Sequence, residues 1–93
     1  MDKLNYIRRK AKRLGIKGDI DVSNAKNKKY SIVLPEGKTI NFGDSRYEDF
    51  IDHKDNERRK NYLARAKKIK NKSGKFTYKD KYSPNYYSVN LLW

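Results

Sequence analysis

The sequence contains no cysteine, and among its 93 residues it has one histidine, one methionine and two prolines. Without cysteine there is neither a disulfide scaffold nor a thiolate metal site, and the chain fits a reducing compartment. Acids are also scarce: 11 Asp and Glu face 24 Lys and Arg, a formal net charge of +13. No apolar run approaches the ~20 residues of a membrane span or the apolar region of a secretory signal. The chain is therefore expected to be soluble, made in the cytosol and not inserted in a membrane. Nothing resembles a glycine-rich phosphate loop, a nucleophile–base pair or a zinc motif. No catalytic residue, cofactor, metal ion or small-molecule substrate is assigned.

What is present is base and aromatic. Eight Tyr, three Phe and one Trp separate the chain from disordered sequences, which are poor in such residues. Its length suits one domain with one thin core. The positive excess concentrates anions at the surface and speeds association with them. Nucleic acid, an acidic protein surface and an anionic membrane all qualify as partners of that kind.

Along the chain, Asp2 to Leu14 reads as a helix. Leu4, Ile7, Ala11 and Leu14 lie on one stripe, with an acid at the amino end and Gly15 as a stop. Arg8, Arg9, Lys10, Lys12 and Arg13 occupy the remaining surface, too many for the single acid. Residues 16–23 hold a short strand around Ile20 and Val22, and 23–29 form a loop. Residues 29–34 (KYSIVL) and 38–42 (KTINF) are β-branched and aromatic, and Pro35-Glu36-Gly37 between them closes a hairpin. The stretch from Phe42 to Lys70 starts at the end of the 38–42 strand, opens a helix at Ser45 and continues as a long basic helix. Ser45 and Glu48 have capping-box spacing, and Tyr47, Phe50, Ile51, Tyr62, Leu63, Ala66 and Ile69 recur at helical steps. Lys54, Arg58, Asn61, Arg65, Lys68 and Lys72 line the opposite side. By helical angle Arg59 falls within the apolar stripe, which predicts it half-buried and paired. Ser83-Pro84 then opens a short aromatic segment ending in LLW.

These patterns bear unequally on function. The cationic stripes suit an anionic polymer or an acidic surface, and the candidate contacts are Arg8, Arg9, Lys12, Arg13, Lys54, Arg58, Arg65, Lys68 and Lys72. No recognition module for reading a DNA sequence is visible. His53, among Asp49, Asp52 and Asp55, reads as a polar helix-junction residue rather than a ligand or base. Those acids and Glu57 are placed to pair with Arg46, Arg58 and Arg59. Glu36-Gly37-Lys38 with Asp21 echoes the acid and Glu-x-Lys arrangement of metal-dependent nucleases, but lies in the turn rather than on a rigid strand. Tyr82, Tyr86, Tyr87, Leu91, Leu92 and Trp93 have three readings: a cover that completes the core, a docking tail whose aromatic anchors meet a partner, or tyrosines on which single-stranded nucleic acid stacks.

The combination KKY, FG, DF, HKD, RRKNYLARA, SPNYYSVN and LLW, spread over residues 28–93, resembles an uncharacterised group of small basic proteins of nucleocytoplasmic large DNA viruses. That resemblance implies no enzymatic activity and a place in the virion, after synthesis in the host cytoplasm. The expectation is one α+β domain over residues 1–93: a basic helix over 1–15, a small antiparallel sheet, a long basic central helix and an aromatic C-terminal segment. Its expected role is a minor capsid component that binds acidic surfaces of capsid proteins. The alternative is a sequence-nonspecific nucleic-acid binder that coats or condenses the genome.

Overall fold

Alternation along three short segments builds the sheet, as a computed structural model describing residues 2–93 makes plain. Strands β1 (Asp19–Val22), β2 (Lys28–Val33) and β3 (Thr39–Asp44) pair antiparallel in that order. The register sets Ile20 opposite Ile32, Ile32 opposite Ile40 and Tyr30 opposite Phe42, so one face is apolar and buried. Asp21, Ser31 and Asn41 follow one another across the other face, which meets water. The Pro35–Gly37 turn joins β2 to β3, with the amides of Leu34 and Gly37 donating to Lys38 O and Leu34 O.

Two elements cover the apolar face. Helix α1 (Lys3–Arg13) is capped by Asp2, whose carboxylate accepts from the Leu4 amide, and it buries Ile7 and Ala11. The helix stops one residue short of Leu14, which is 52% exposed rather than part of the buried stripe. The C-terminal cover begins at Ser83 and Pro84. It forms α4 (Pro84–Tyr87) and then a wider π-type turn, Ser88–Leu92. Tyr87, Leu91 and Leu92 lie in the core beside Phe42. The Tyr87 hydroxyl donates to Lys81 O, and burial, followed by nearby tyrosine and acidic charge, pushes it up to about 12. Burial of each such side chain contributes about 2 kcal/mol, so these three are packing residues and not free docking anchors. Tyr86 and Trp93 are half-buried against them.

The single long helix predicted from Ser45 toward Lys70 is not formed. Strand β3 runs to Asp44, whose side chain accepts from the Arg46 amide in a turn, and Tyr47 is 68% exposed. The capping box belongs to Asp49 and Asp52 instead of Ser45 and Glu48, and opens the one-turn α2 (Phe50–His53). Lys54 then adopts a left-handed conformation, φ 54°, which ends α2. Asp55 starts α3 (Asn56–Ala66) by accepting from the amides of Glu57 and Arg58. At the far end the Asn85 side chain donates to Ala66 O. Asn71 gathers a tight turn by accepting from the amides of Ser73 and Lys75. These local acceptors compete successfully with continued helix. Ile69, predicted on the buried stripe, is 51% exposed beyond the helix end.

One buried charge cluster fastens these parts together. Asp49, 2% exposed, accepts at Oδ2 from Lys3 Nζ of α1 (3.0 Å) and Lys29 Nζ of β2 (2.9 Å). Asp52 accepts from Lys3 at 2.9 Å and lies 3.7 Å from Lys29. Desolvation opposes the Asp52 carboxylate, but hydrogen bonds from Lys3 and the Asp49 main chain, with both lysine charges, hold its pKa below the usual range. Burial likewise works against the Lys3 ammonium, yet its bonds to Asp52 and Asp49 prevail and raise it. Beside the cluster, Gly43 has φ +78°, and a Cβ there would sit 2.8 Å from Leu92 Cδ1 and 3.2 Å from Lys29 Cβ.

Asp49→Asn leaves two ammonium groups short of a partner, and is expected to lower unfolding free energy by about 3 kcal/mol in urea titrations. The Asp52 contribution is complete above about pH 4 and lost as pH falls through its depressed folded pKa. The Lys3 contribution is complete below about pH 10 and lost as pH rises through its raised one. Urea midpoints measured across both ranges check the two signs. Gly43→Ala is expected to cost about 2 kcal/mol from the strained φ and the contact with Leu92.

Candidate functional site

The cations predicted to contact a partner fall in three places. On α1, Arg9, Lys12 and Arg13 are exposed. Arg8 is half committed: its Nε donates to Ile20 O at 2.8 Å and a terminal nitrogen lies 3.9 Å from Asp21. On α3, Arg58 and Arg65 face a cleft, while Lys54 stands at the α2–α3 junction. Lys68 and Lys72 follow the helix in a turn segment and do not extend its row of charge. The expected continuous stripe is therefore interrupted at both ends of α3. Among the described residues, only Lys3, Arg8, Lys29 and Arg46 lie within 4.0 Å of an acid. Most of the 24 cationic side chains thus keep their charge open to a partner.

The acids near His53 serve the fold. Asp49 and Asp52 hold lysines, Asp55 caps α3, and Arg46 pairs with Asp44 instead, holding that carboxyl down to about 2. His53 accepts at Nδ1 from the Asp55 amide, which places its ring proton on Nε2. Nε2 is covered and has no partner, between the rings of Phe50 and Trp93. Among the described residues no three His, Asp or Glu side chains converge as a metal site requires. Glu36 stays in its exposed turn and accepts from the Tyr82 hydroxyl at 2.7 Å, and that bond lowers its pKa.

Two concavities involve α3. The first, of about 540 Å³, lies between the 43–49 turn, α3 and the C-terminal segment. Arg58 and Arg65 line it together with Asp44 and Glu48, so its charge is mixed. The second, of about 790 Å³, is a groove between α1 and the α2–α3 junction. Its floor is Phe50, Ile51, Leu92 and Trp93, and its rim carries Lys10, Lys54 and Arg59. Asp52 also lines it, already engaged by Lys3. Here the fold joins residues that sequence spacing kept apart. Burial, and then the charges of Arg59 and Arg13, push the Lys10 ammonium down.

Arg59, predicted half-buried and paired, is exposed and pairs with no Asp or Glu side chain among the described residues. Its Nε donates to Trp93 O at 2.7 Å, and its guanidinium lies 4.9 Å from the Phe50 ring centre. Trp93 stacks on Tyr62 with centroids 3.9 Å apart and rings within 10° of parallel. Sequence placed Lys10 on the basic surface of α1 but not among the candidate contacts, and the groove was not evident from it. The available signal was the second pair of helix-start residues, Asp49 and Asp55, which divides the long run and turns Arg59 toward α1.

The fold and site define a small α+β module with a polar sheet face and a groove rimmed by unneutralised cations. The chain belongs to DUF5754, a family of unknown function whose model matches residues 18–66, from the start of the sheet to the end of α3. No curated protein and no solved structure matches the chain significantly. Among the described residues no helix is long and apolar enough to cross a membrane.

Lys10→Gln removes one of the crowded charges without removing a hydrogen bond or ion pair found among the described residues. Surface-charge relief of this kind is worth about 0.5 kcal/mol, a rise in Tm of about 2–4 °C for a domain this size. Differential scanning calorimetry at low salt checks it, and added salt is expected to shrink the gain.

Proposed function

We propose that this chain is a non-enzymatic structural protein of a large DNA virus particle, a minor capsid component that grips acidic protein surfaces. The observation that carries this reading is the open charge. Lys10, Lys54 and Arg59 come from separate elements and gather around one apolar floor; none has an Asp or Glu side chain within ion-pair distance among the described residues, and Arg59 spends its Nε on Trp93 O. Like charges held together destabilise a compact state, and an acidic partner would relieve that repulsion. The resemblance of residues 28–93 to small basic viral proteins supplies the setting.

A second reading, a coat on the viral genome, is favoured by a different feature. Lys67, Lys68, Lys70, Lys72 and Lys75 crowd a short exposed segment, and none is ion-paired among the described residues. Such a segment suits sequence-independent phosphate contact.

Mass spectrometry and cryo-electron microscopy of purified particles test the first reading. It requires the protein at a fixed stoichiometry and position in the shell, and absence from the particle overturns it. Fluorescence anisotropy with random duplex DNA tests the second. Five phosphate contacts give a log–log salt slope of about −4.5, and no binding at about 50 mM salt removes that role.

A further inference from the structure

We infer that the groove between α1 and the α2–α3 junction is a docking site for an acidic, amphipathic peptide segment of a partner protein, whose apolar side chain fills the floor while its carboxylates meet the rim. This deepens the acidic-partner reading above and rests on it.

The geometry divides the groove into the two zones of a protein interface. Phe50, Ile51 and Trp93, all half-buried, supply the apolar lining, and Lys10, Lys54 and Arg59 supply the charge beside it. A dry centre within a polar rim is how interfaces combine affinity with orientation. The volume of about 790 Å³ accommodates one or two side chains with their backbone. The sign of the rim sets the sign of the ligand. Asp52, the lining acid, is already held by Lys3 at 2.9 Å and does not offset the other three cations.

Single-stranded nucleic acid also seeks cations beside aromatic rings, but it needs open ring faces on which bases can stack. Here one face of Trp93 is taken by Tyr62 at 3.9 Å, and Arg59 stands over Phe50 at 4.9 Å. With one face of each ring already used, less open ring surface remains for stacked bases. That fits an inserted Leu or Phe better than a base.

Three labelled probes distinguish the outcomes: a ~10-residue peptide of Glu interrupted by Leu and Phe at helical spacing, an all-Glu peptide of equal length, and oligo-dT. The mixed peptide is expected to bind at least ~10-fold more tightly than all-Glu and to shift the emission of Trp93, the single tryptophan. Lys10→Glu combined with Lys54→Glu is expected to lose at least ~10-fold, while Lys68→Glu combined with Lys72→Glu changes binding less than ~2-fold. Thermal melts confirm that both double variants fold. Arg59→Lys, which keeps the charge, serves as a milder third variant. Equal loss from the remote pair, or equal binding of all-Glu, overturns the groove and leaves the acidic-partner reading standing. Binding of oligo-dT alone, or of no probe, overturns both. Self-association of the free protein that the mixed peptide competes away assigns the groove to a second copy and overturns the proposal.

Discussion

A single carboxylate holds the architecture in register. Asp49 is buried, and its side chain touches an ammonium from α1 and another from β2, while Asp52 of the same turn closes the arrangement. Taking Asp49 and Lys29 largely out of water, with Lys3 and Asp52 partly covered beside them, is costly, so the cluster is poor evidence of net stability. Its value is positional. Because an unmatched buried charge is far more costly than a matched one, α1, the sheet and α2 can approach only where all four groups meet. The groove has α1 as one wall and the α2–α3 junction as the other, so the same contacts set its width.

Much of the scaffold was legible from local pattern. β-Branched and aromatic residues marked the three strands, Pro35 and Gly37 marked the turn, and Asp2 marked the start of α1. Each depends on neighbours within a few residues. The central segment shows where that reasoning stops. Its helical spacing from Phe50 to Ala66 was genuine, but the spacing is blind to a single left-handed residue such as Lys54. It is equally blind to Asn85, which arrives from 19 positions later to close the last carbonyl of α3. The outward cations of α1 were legible, and the groove was not. Lys10 and Arg59 are 49 positions apart and become neighbours only after two helices have been aimed by the buried cluster.

The acids divide the same way. Sequence order put Asp49, Asp52, Asp55 and Glu57 beside arginines, and helical angle suggested local pairs. The fold sends the first two to distant lysines and uses Asp55 as a cap, so Arg46 turns to Asp44 while Arg58 and Arg59 have no Asp or Glu partner among the described residues. The segment matched by the family contains the sheet and both short helices, hence Lys29, Asp49 and Asp52, whereas Lys3 lies outside it. The cluster therefore joins the family segment to the helix that precedes it.

The uncovered side of the sheet gives the molecule a polarity. Its paired positions Asp19, Asp21, Ser31, Val33, Thr39 and Asn41 include two acids and no base, whereas α1 on the opposite side bears Arg9, Lys12 and Arg13. A body charged so unevenly is turned by an external field before contact is made. Approaching a negative wall in dilute salt, it would arrive helices foremost, with the bare strands trailing toward the solvent.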